Sequence, residues 1–441
     1  MNAYPKDIIP ALKNVCTKLE KRKYGKPPTL PPDEELHVLL DTAFHASFLT
    51  EEGRRTGFRI LYVSFETMIK EIDKHSDNRW RIINFDTPRP YSVSELNRLA
   101  PAAELTHLMI CVSNSSQNNR KSSLEIWGLL DVGENWWKFV HNETHSGMSP
   151  PNYFAITSMN AGELSISAAG DVLTTLKGGK LVYPKDTAIW DGSICDFLQT
   201  ARNKLYQSVI TALGTKSWDE EGQDDDYPYR FYNFFIERIL FYVREKSHGG
   251  TLIIVPDYVS KDDTRLTDRL NLKYPCSYDY AWEMMTSCLV NERKYFDLHF
   301  PLWDAKLEIT QNNFQEYHML SSKRDDLDEA IGDAARAIAS MTSVDGAVVL
   351  TDKLKVLGFG AEVLAISPSL KEVKIEVRSK TIQRIPIESF GTRHRSAFRF
   401  CSSFEEAVIF VVSQDGGVKA IKRVCKEVVL WPDINTGAMG L

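Results

Sequence analysis

The chain has 441 residues, a formal net charge of −6 at pH 7, and 43% hydrophobic and 25% charged residues. This length is too great for one compact core and predicts two or three domains, while the composition excludes a broadly disordered chain. The net negative charge argues against indiscriminate binding to nucleic acid or to an anionic membrane.

Cysteine usage and hydropathy point to the cytoplasm. The seven cysteines are scattered and form no Cys-x-x-Cys pair, a pattern typical of reduced thiols rather than of disulfides or a zinc site. The first residues lack the apolar core and cleavage site of a signal peptide. No window approaches the roughly 18 consecutive apolar residues that a spanning helix needs. We therefore expect a cytoplasmic protein that does not enter a membrane.

The first 320 residues are predicted to form three parts. A proline-rich stretch, KPPTLPP, closes an N-terminal extension at residues 1–32. A domain with mixed α+β structure follows at 33–256, and a mostly helical connector at 257–320 links it to the rest. In the second part, Leu36, Leu39 and Leu40 recur at helical spacing. The runs FRILYVSF and THLMICVS, and the turn-rich stretch 123–184, predict strands.

The second part ends in a helix and a strand. The segment YRFYNFFIERILFYVREKSHGG predicts a bulky helix stopped by Gly249 and Gly250, followed by the buried strand TLIIVP. His248 is interpreted as a cation near the helix carbonyls rather than as a ligand.

The C-terminal part, residues 321–441, has the clearest alternation of helix and strand. Ser322 and Asp325 have capping-box spacing, which predicts a helix start. The stretch SVDGAVVLTDKLKVLGFGAEV then predicts a strand, a turn and a return strand, and EVKIEVRSKTIQRIPIES a second strand pair. After GTRHRSA, the stretch EEAVIFVVSQDGGVKAIK predicts a strand, a turn at Gln414 to Gly417, and another strand. Ser413 therefore lies at the carboxyl end of a strand, where open α/β sheets place ligands.

Two groups in this part could carry chemistry. Asp345 stands at the entry of a strand beside Gly346 and Ala347, whose small size leaves room for a ligand to approach the backbone. Asp-Gly by itself is mostly a turn signal. The other group is Arg393, His394 and Arg395.

The Arg-His-Arg cluster follows Gly391 and has two interpretations. It could be a salt-bridged surface turn, or it could bind a polyanion, because arginine meets phosphate oxygens in a bidentate fork and histidine adds a donor or a proton. An aspartate at a strand end is a typical ligand for Mg²⁺ or Mn²⁺ carried by a nucleoside triphosphate. Together with Asp345, the cluster indicates phosphoryl or nucleotidyl transfer.

The series DGAVVL, GTRHRSA and AVIFVVSQDGG, in this order, closely resembles the diadenylate cyclase domain over about residues 321–425. The region 30–256, with EIWGLL and SHGGTLIIVP, looks like the sensor domain that precedes some such cyclase domains. The resemblance implies an α/β fold class: a C-terminal mixed-sheet cyclase-like domain at 321–441 behind a larger mixed α+β domain.

The resemblance also implies an activity. Two ATP molecules would be joined into cyclic di-AMP with loss of two pyrophosphates, in a homo-oligomer whose two nucleotide sites face each other. Asp345 would bind Mg²⁺ or Mn²⁺ and help to deprotonate the attacking hydroxyl. The ATP-binding residues implied are Gly346, Ala347, Gly360, Gly391, Thr392, Arg393, His394, Arg395 and Ser413, of which Arg393, His394 and Arg395 would also offset charge in the transition state.

One departure from the family pattern leaves alternatives open. Members commonly carry glutamate directly after the serine that matches Ser413, and this chain has Gln414 followed by Asp415. A catalytically weak or inactive nucleotide-binding sensor is therefore the alternative to an active cyclase. An anion- or nucleic-acid-binding protein is disfavoured by the net acidity and by the lack of a separate basic module.

Overall fold

The computed structural model describes the chain except for a set of short segments. The described residues are 2–20, 29–51, 53–74, 80–115, 123–133, 153–168, 171–183, 188–190, 192–218, 226–246, 248–303, 310–377, 380–414, 417–432 and 434. Parts of the predicted strand region 123–184 and of the boundary stretch KPPTLPP lie outside them, as do Asp415 and the last seven residues.

The chain divides into two compact units, with the boundary between Pro184 and Lys185. The first unit has four helices among its described residues, α1 (Pro5–Glu20), α2 (Asp33–Ala46), α3 (Phe65–Lys74) and α4 (Val93–Leu99). Its strands are β1 (Thr50–Glu51), β2 (Arg54–Arg55), β3 (Phe58–Tyr62), β4 (Arg81–Pro90), β5 (Leu108–Asn114), β6 (Leu124–Asp131), β7 (Ala155–Ser158), β8 (Leu164–Ala168), β9 (Asp171–Lys177) and β10 (Lys180–Val182).

The first unit is built on a mixed sheet of eight strands in the order β10-β9-β8-β7-β3-β5-β6-β4. Only β3 and β5 pair in parallel among these strands. Helices α1, α2 and α4 pack on one face, where Leu36, Leu39 and Leu40 are fully buried with the strand residues. The other face has a smaller core around Met68 of α3 and Trp127 of β6.

The second unit has its own elements. Its helices are α5 (Ser193–Leu213), α6 (Tyr227–Glu245), α7 (Thr264–Thr267), α8 (Tyr280–Trp303), α9 (Gln311–Met341) and α10 (Thr392–Ser403). Its strands are β11 (Gly250–Val255), β12 (Leu270–Tyr278), β13 (Ala347–Thr351), β14 (Val356–Val363), β15 (Glu372–Val377), β16 (Lys380–Pro386), β17 (Val408–Val412), β18 (Val418–Val424) and β19 (Glu427–Trp431).

These strands form one mixed sheet in the order β12-β14-β13-β11-β17-β18-β19-β15-β16. Strand β11 pairs in parallel with β13 and antiparallel with β17. All six of its residues are buried, as expected for a central strand that is covered on both faces.

Helices cover both faces of this second sheet. On one face, α5, α6, α8 and α9 bury alternate strand residues such as Leu252, Val348 and Phe410. On the other face, α10 buries Ala397, Phe398 and Phe400 against the intervening residues, including Ile253 and Ile409. The strict alternation along β11 and β17 therefore fixes which helices lie on which side. Among the described helices of the whole chain, none is long and apolar enough to cross a bilayer.

Many of these elements lie where the sequence predicts them. These are the helix α2, the bulky helix α6, the strand β11 and the strand pairs β13–β14 and β15–β16. Helix α4 is capped by Ser92, whose hydroxyl accepts a hydrogen bond from the backbone N–H of Glu95 at 3.3 Å.

Two expectations about 257–341 need correction. Helix α9 begins at Gln311, capped by Thr310, so Ser322 lies inside the helix rather than at its start. The helix extends N-terminally because it packs along α8, where Arg324 forms two 2.6 Å hydrogen bonds with the buried Glu292 carboxylate. The stretch 257–320 also contains a nine-residue strand, β12, which the helical interpretation missed.

The boundary between the two compact units also differs from the predicted domain boundaries. The breaks expected after residues 256 and 320 both lie inside the second unit, and the single division follows Pro184. The physical reason is that β11, assigned from sequence to the preceding domain, is hydrogen-bonded between β13 and β17.

A fragment of residues 321–441 should therefore not fold. It lacks β11, whose four large apolar residues each contribute roughly 1.5–3 kcal/mol by burial, a sum comparable with the whole stability of a domain. Residues 185–441 should show one cooperative thermal transition by circular dichroism, whereas residues 321–441 should show none. A cooperative transition in the shorter fragment would contradict this assignment of β11.

A second prediction concerns Glu237 of α6, which is buried and accepts a 2.7 Å hydrogen bond from the Trp190 indole N–H. Burial raises the pKa of this carboxyl from 4.5 to about 8. Between these values the unfolded chain releases a proton that the folded chain keeps. The free energy of unfolding should therefore fall as the pH rises, by at most about 1.4 kcal/mol per pH unit from this group.

The variant Glu237→Gln keeps an acceptor for Trp190 and removes the titration. We expect it to be more stable than the wild type at pH 8 and to have a flatter dependence of stability on pH, measured by urea unfolding. An unchanged slope between pH 5 and pH 8 would show that Glu237 does not titrate there.

Candidate functional site

Three chain segments end at the same edge of the second sheet. In β11, Gly250 pairs with Val412 of β17, and Leu252 pairs with Val348 of β13. Because β11 and β13 run in parallel, Gly250 and Gly346 lie in the same row. The residues next to these strand ends, Asp345, Gly249 and Ser413, are thus brought to one border, which we call the Asp345 edge.

The Asp345 edge is accessible. Asp345 and Gly346 are exposed, Ser413 is half-buried and Gln414 is exposed. The backbone N–H of Ser413 donates a 2.8 Å hydrogen bond to the carbonyl of Gly417, which holds the start of the turn after β17. Two strand spacings of about 4.8 Å separate β13 from β17. A ligand that touches both Asp345 and Ser413 must therefore be extended.

Helix α10 points its first turn at this edge. The helix begins at Thr392, packs its buried face against the sheet, and leads into β17, which runs back toward the Asp345 edge. A Cβ placed on Gly249 would lie 2.7 Å from Nη1 of Arg393 and 2.7 Å from the carbonyl oxygen of Val412. The Arg393 guanidinium therefore lies against the backbone of Gly249, beside the end of β17.

The charge of the α10 first turn is unusual for a helix. Helix N-termini are partly positive and favour acidic side chains, yet the first turn of α10 has no acidic residue and Gly391 provides no side-chain cap. In the described part of the chain, neither Arg393 nor Arg395 is in a salt bridge with a carboxylate. Among the described residues, the charges of Arg393 and Arg395 therefore have no carboxylate partner, and an anionic ligand would provide one.

The other two residues of the cluster, His394 and Arg395, are held in place by neighbours. The His394 ring lies near the rings of Phe390 and Phe398, with centroid distances of 5.8 and 6.4 Å. The Arg395 guanidinium donates a 3.4 Å hydrogen bond to the hydroxyl of Thr392. Arg393, His394 and Arg395 are all half-buried, so their orientation is constrained before any ligand binds.

The predicted small residues have different roles in the fold. Gly346 has φ +116°, and a Cβ there would lie 2.5 Å from the carbonyl carbon of Gly360, so strand packing already requires glycine. The Ala347 side chain is buried in the core on the α10 side, which leaves only its backbone for a ligand. Gly391 has φ −64°, and a Cβ there would meet nothing within 4 Å, so the fold does not need a glycine hinge at this position.

The sequence analysis missed the segment His248–Gly249, which it assigned to the end of a helix. Gly249 has φ +70°, and no side chain fits between its backbone and Arg393. The exposed His248 lies next to it. A signal was available: like Asp-Gly before β13, His-Gly directly precedes the buried strand β11.

The carboxylates at this edge do not form a complete metal cage. Among the residues that the structure describes, no group of three or more histidine, cysteine, aspartate or glutamate side chains could hold a metal ion. Asp345 alone could contribute a single carboxylate, so a metal at the Asp345 edge would need most of its ligands from water or from a bound substrate.

Comparison with known proteins characterises the first unit. A family model described as "Probable sensor domain DACNV" matches residues 26–131, about a quarter of the chain. The match ends with β6 and includes α2, α3 and α4 with strands β1 to β6, so this part of the first unit is similar to a sensor domain. No curated protein and no solved structure matches the chain.

Replacing Gly249 with alanine tests whether this glycine holds Arg393 in place. We expect Gly249→Ala to displace the guanidinium and to weaken binding of inorganic tripolyphosphate by about tenfold or more, measured calorimetrically, because a hydrogen bond to a charged group contributes about 1.5–3 kcal/mol.

Gly214→Ala is the matched control. Gly214 has φ +72°, close to that of Gly249, but a Cβ there meets nothing within 4 Å. The strain from a positive φ should be similar in the two variants, whereas Gly249→Ala should lose further stability because its Cβ also lies 2.7 Å from the carbonyl oxygen of Val412. Equal tripolyphosphate affinity in the two variants would mean that the contact with Arg393 has no effect on anion binding.

Proposed function

We propose that the second unit is a diadenylate cyclase domain and that the chain condenses two ATP molecules into cyclic di-AMP and two pyrophosphates. The observation that carries this proposal is the convergence of Asp345, Arg393 and Ser413 on one edge of the sheet, although 68 residues of sequence number separate Asp345 from Ser413. Sensor domains of the matched family are typically associated with diadenylate cyclases, which supports the same reading of the whole chain.

The reaction assigns a role to each side of the Asp345 edge. The 3′-hydroxyl oxygen of one ATP attacks the α-phosphorus of the other, the bond from that phosphorus to the bridging oxygen breaks, and pyrophosphate leaves. Arg393, Arg395 and His394 bind the triphosphate and offset the charge that develops on it. Ser413 hydrogen-bonds a phosphate oxygen. The backbone N–H groups at the start of α10 add further donors.

In this proposal Asp345 receives the hydroxyl proton and would bind the metal. A single carboxylate fits Mg²⁺ or Mn²⁺ that arrives with the nucleotide, because such ions are commonly held by one or two carboxylates together with substrate phosphates. The metal would make the α-phosphorus more electrophilic and the hydroxyl more acidic. Asp345 is exposed, so its carboxylate is accessible to both the metal and the attacking hydroxyl.

The product requires two copies of the site. Cyclic di-AMP has two equivalent linkages, so two Asp345 edges must face each other across a two-fold axis. We therefore propose a homo-oligomer in the active state, in the cytoplasm, with the first unit as a regulatory sensor. Nucleic acid is not proposed as a partner.

A nucleotide-binding sensor with weak or absent turnover is the second candidate. Gln414 favours it, because this exposed residue directly after Ser413 replaces the glutamate common in cyclases. An amide binds a cation more weakly than a carboxylate. The metal that accompanies the triphosphate would therefore be held less firmly here.

Incubation of the full-length protein with ATP and Mg²⁺ or Mn²⁺ should yield cyclic di-AMP, detected by mass spectrometry. We expect Asp345→Asn to lower the rate by about 10²-fold or more, since proton transfer by a positioned side chain typically contributes that much. Asp333→Asn, which alters a surface carboxylate paired with Arg336 at 2.9 Å, should leave the rate unchanged.

The outcomes separate the candidates. Thermal stabilisation by ATP without product would favour the nucleotide-binding sensor. Neither product nor stabilisation would overturn both proposals. Regulation by the first unit is tested by deleting residues 1–184 rather than 1–320, because the longer deletion removes β11 and destroys the sheet.

A further inference from the structure

A stacked aromatic pair, of which one ring is exposed and the other partly buried, lies beside the Asp345 edge. Tyr274 of β12 pairs with Phe359 of β14, and their rings are stacked with centroids 4.9 Å apart and planes inclined by 19°. Tyr274 is 52% exposed, so one ring is backed by Phe359 while much of it remains open to solvent. The residues predicted from sequence as site components do not include either ring.

Backbone contacts connect this pair directly to Asp345. A Cβ on Gly360 would lie 3.1 and 3.4 Å from two carbons of the Tyr274 ring, so the ring lies across the backbone of Gly360. Gly360 in turn is packed against Gly346, the residue after Asp345. The ring is therefore separated from the Asp-Gly turn by a single glycine.

The local sequence keeps side chains away from the ring. Phe359 stands between Gly358 and Gly360, and Gly360 adopts φ +63°. A larger residue at 360 would be strained and would push against Tyr274. Within the described part of the chain, the Tyr274 hydroxyl has no hydrogen-bond partner, so the fold does not use its polar end.

We propose that Tyr274, backed by Phe359, is the platform on which the nucleobase of the bound nucleotide stacks. This inference rests on the proposed function, because it takes the Asp345 edge as the place of the phosphates and metal. The phosphates need the cationic first turn of α10, whereas a flat, uncharged base needs an open aromatic face. The Tyr274 ring provides such a face on the β14 side of Asp345, and α10 provides the cations on the β17 side.

The test compares a ligand that has a base with one that lacks it. Binding of ATP and of inorganic tripolyphosphate to the full-length chain is measured by calorimetry with Mg²⁺ present. We expect Tyr274→Ala to weaken ATP binding by about 5- to 100-fold, the range for loss of one base–aromatic stack, and to leave tripolyphosphate binding unchanged. Tyr274→Phe keeps the ring and should bind ATP like the wild type.

Tyr258→Ala is the matched control, because Tyr258 is 59% exposed and follows the opposite end of β11. It should not change the affinity for either ligand. The Arg393→Ala variant should weaken both ligands together, which distinguishes loss of phosphate binding from loss of base stacking.

The inference would be overturned if Tyr274→Ala bound ATP as tightly as the wild type, or if it lost ATP and tripolyphosphate in equal proportion. Failure of both proposed functions, the cyclase and the nucleotide-binding sensor, looks different, because the wild type would then bind neither ligand. Thermal unfolding of each variant shows whether the edge strand β12 has kept its pairing.

Discussion

The pairing of β11 between β13 and β17 is the constraint on which the second unit depends. It is a buried strand with one parallel and one antiparallel neighbour, and its register decides which residues reach the same border of the sheet. If β11 were shifted by one residue, its apolar side chains would exchange faces and both cores would be lost. The hydrophobic cores therefore hold the register, and the register brings Asp345, Gly249 and Ser413 together.

Electrostatics at this border are set by the start of α10. Two arginines at a helix N-terminus repel each other and the partial positive charge of the helix. The helix nevertheless forms there because Ala397, Phe398 and Phe400 are buried against the sheet, and burial of such side chains outweighs a surface charge interaction of well under about 1 kcal/mol each. The core thus stabilises an arrangement of charge that favours an anion.

The glycines at positions 249 and 346 of the Asp345 edge are required by the fold itself. Gly249 and Gly346 are required by close backbone contacts and by positive φ angles, and the space they leave is occupied by Arg393 and by Gly360. The same lack of side chains makes the border accessible. By contrast, nothing in the fold requires glycine at 391, so any need for a small residue there must come from a bound ligand or a partner.

Local patterns in the sequence determined most elements of the second unit. Apolar runs and the turns between them predicted β13, β14, β15, β16 and β17, and the position of Ser413 after β17 is as expected. These features depend on residues that are close in sequence, whose periodicity shows which side chains must be buried. The Asp-Gly turn and the Arg-His-Arg cluster were recognisable for the same reason.

The tertiary structure alone decided which segments are neighbours. From the sequence alone, β11 is assigned to a preceding domain and β12 to a helical connector. Neither apolar alternation nor the length of a strand indicates which other strand it pairs with. Gly249 beside Arg393 and Tyr274 beside Gly360 are contacts between residues 144 and 86 positions apart in the chain. Such contacts follow from sheet order, which is set by the burial of two cores at once.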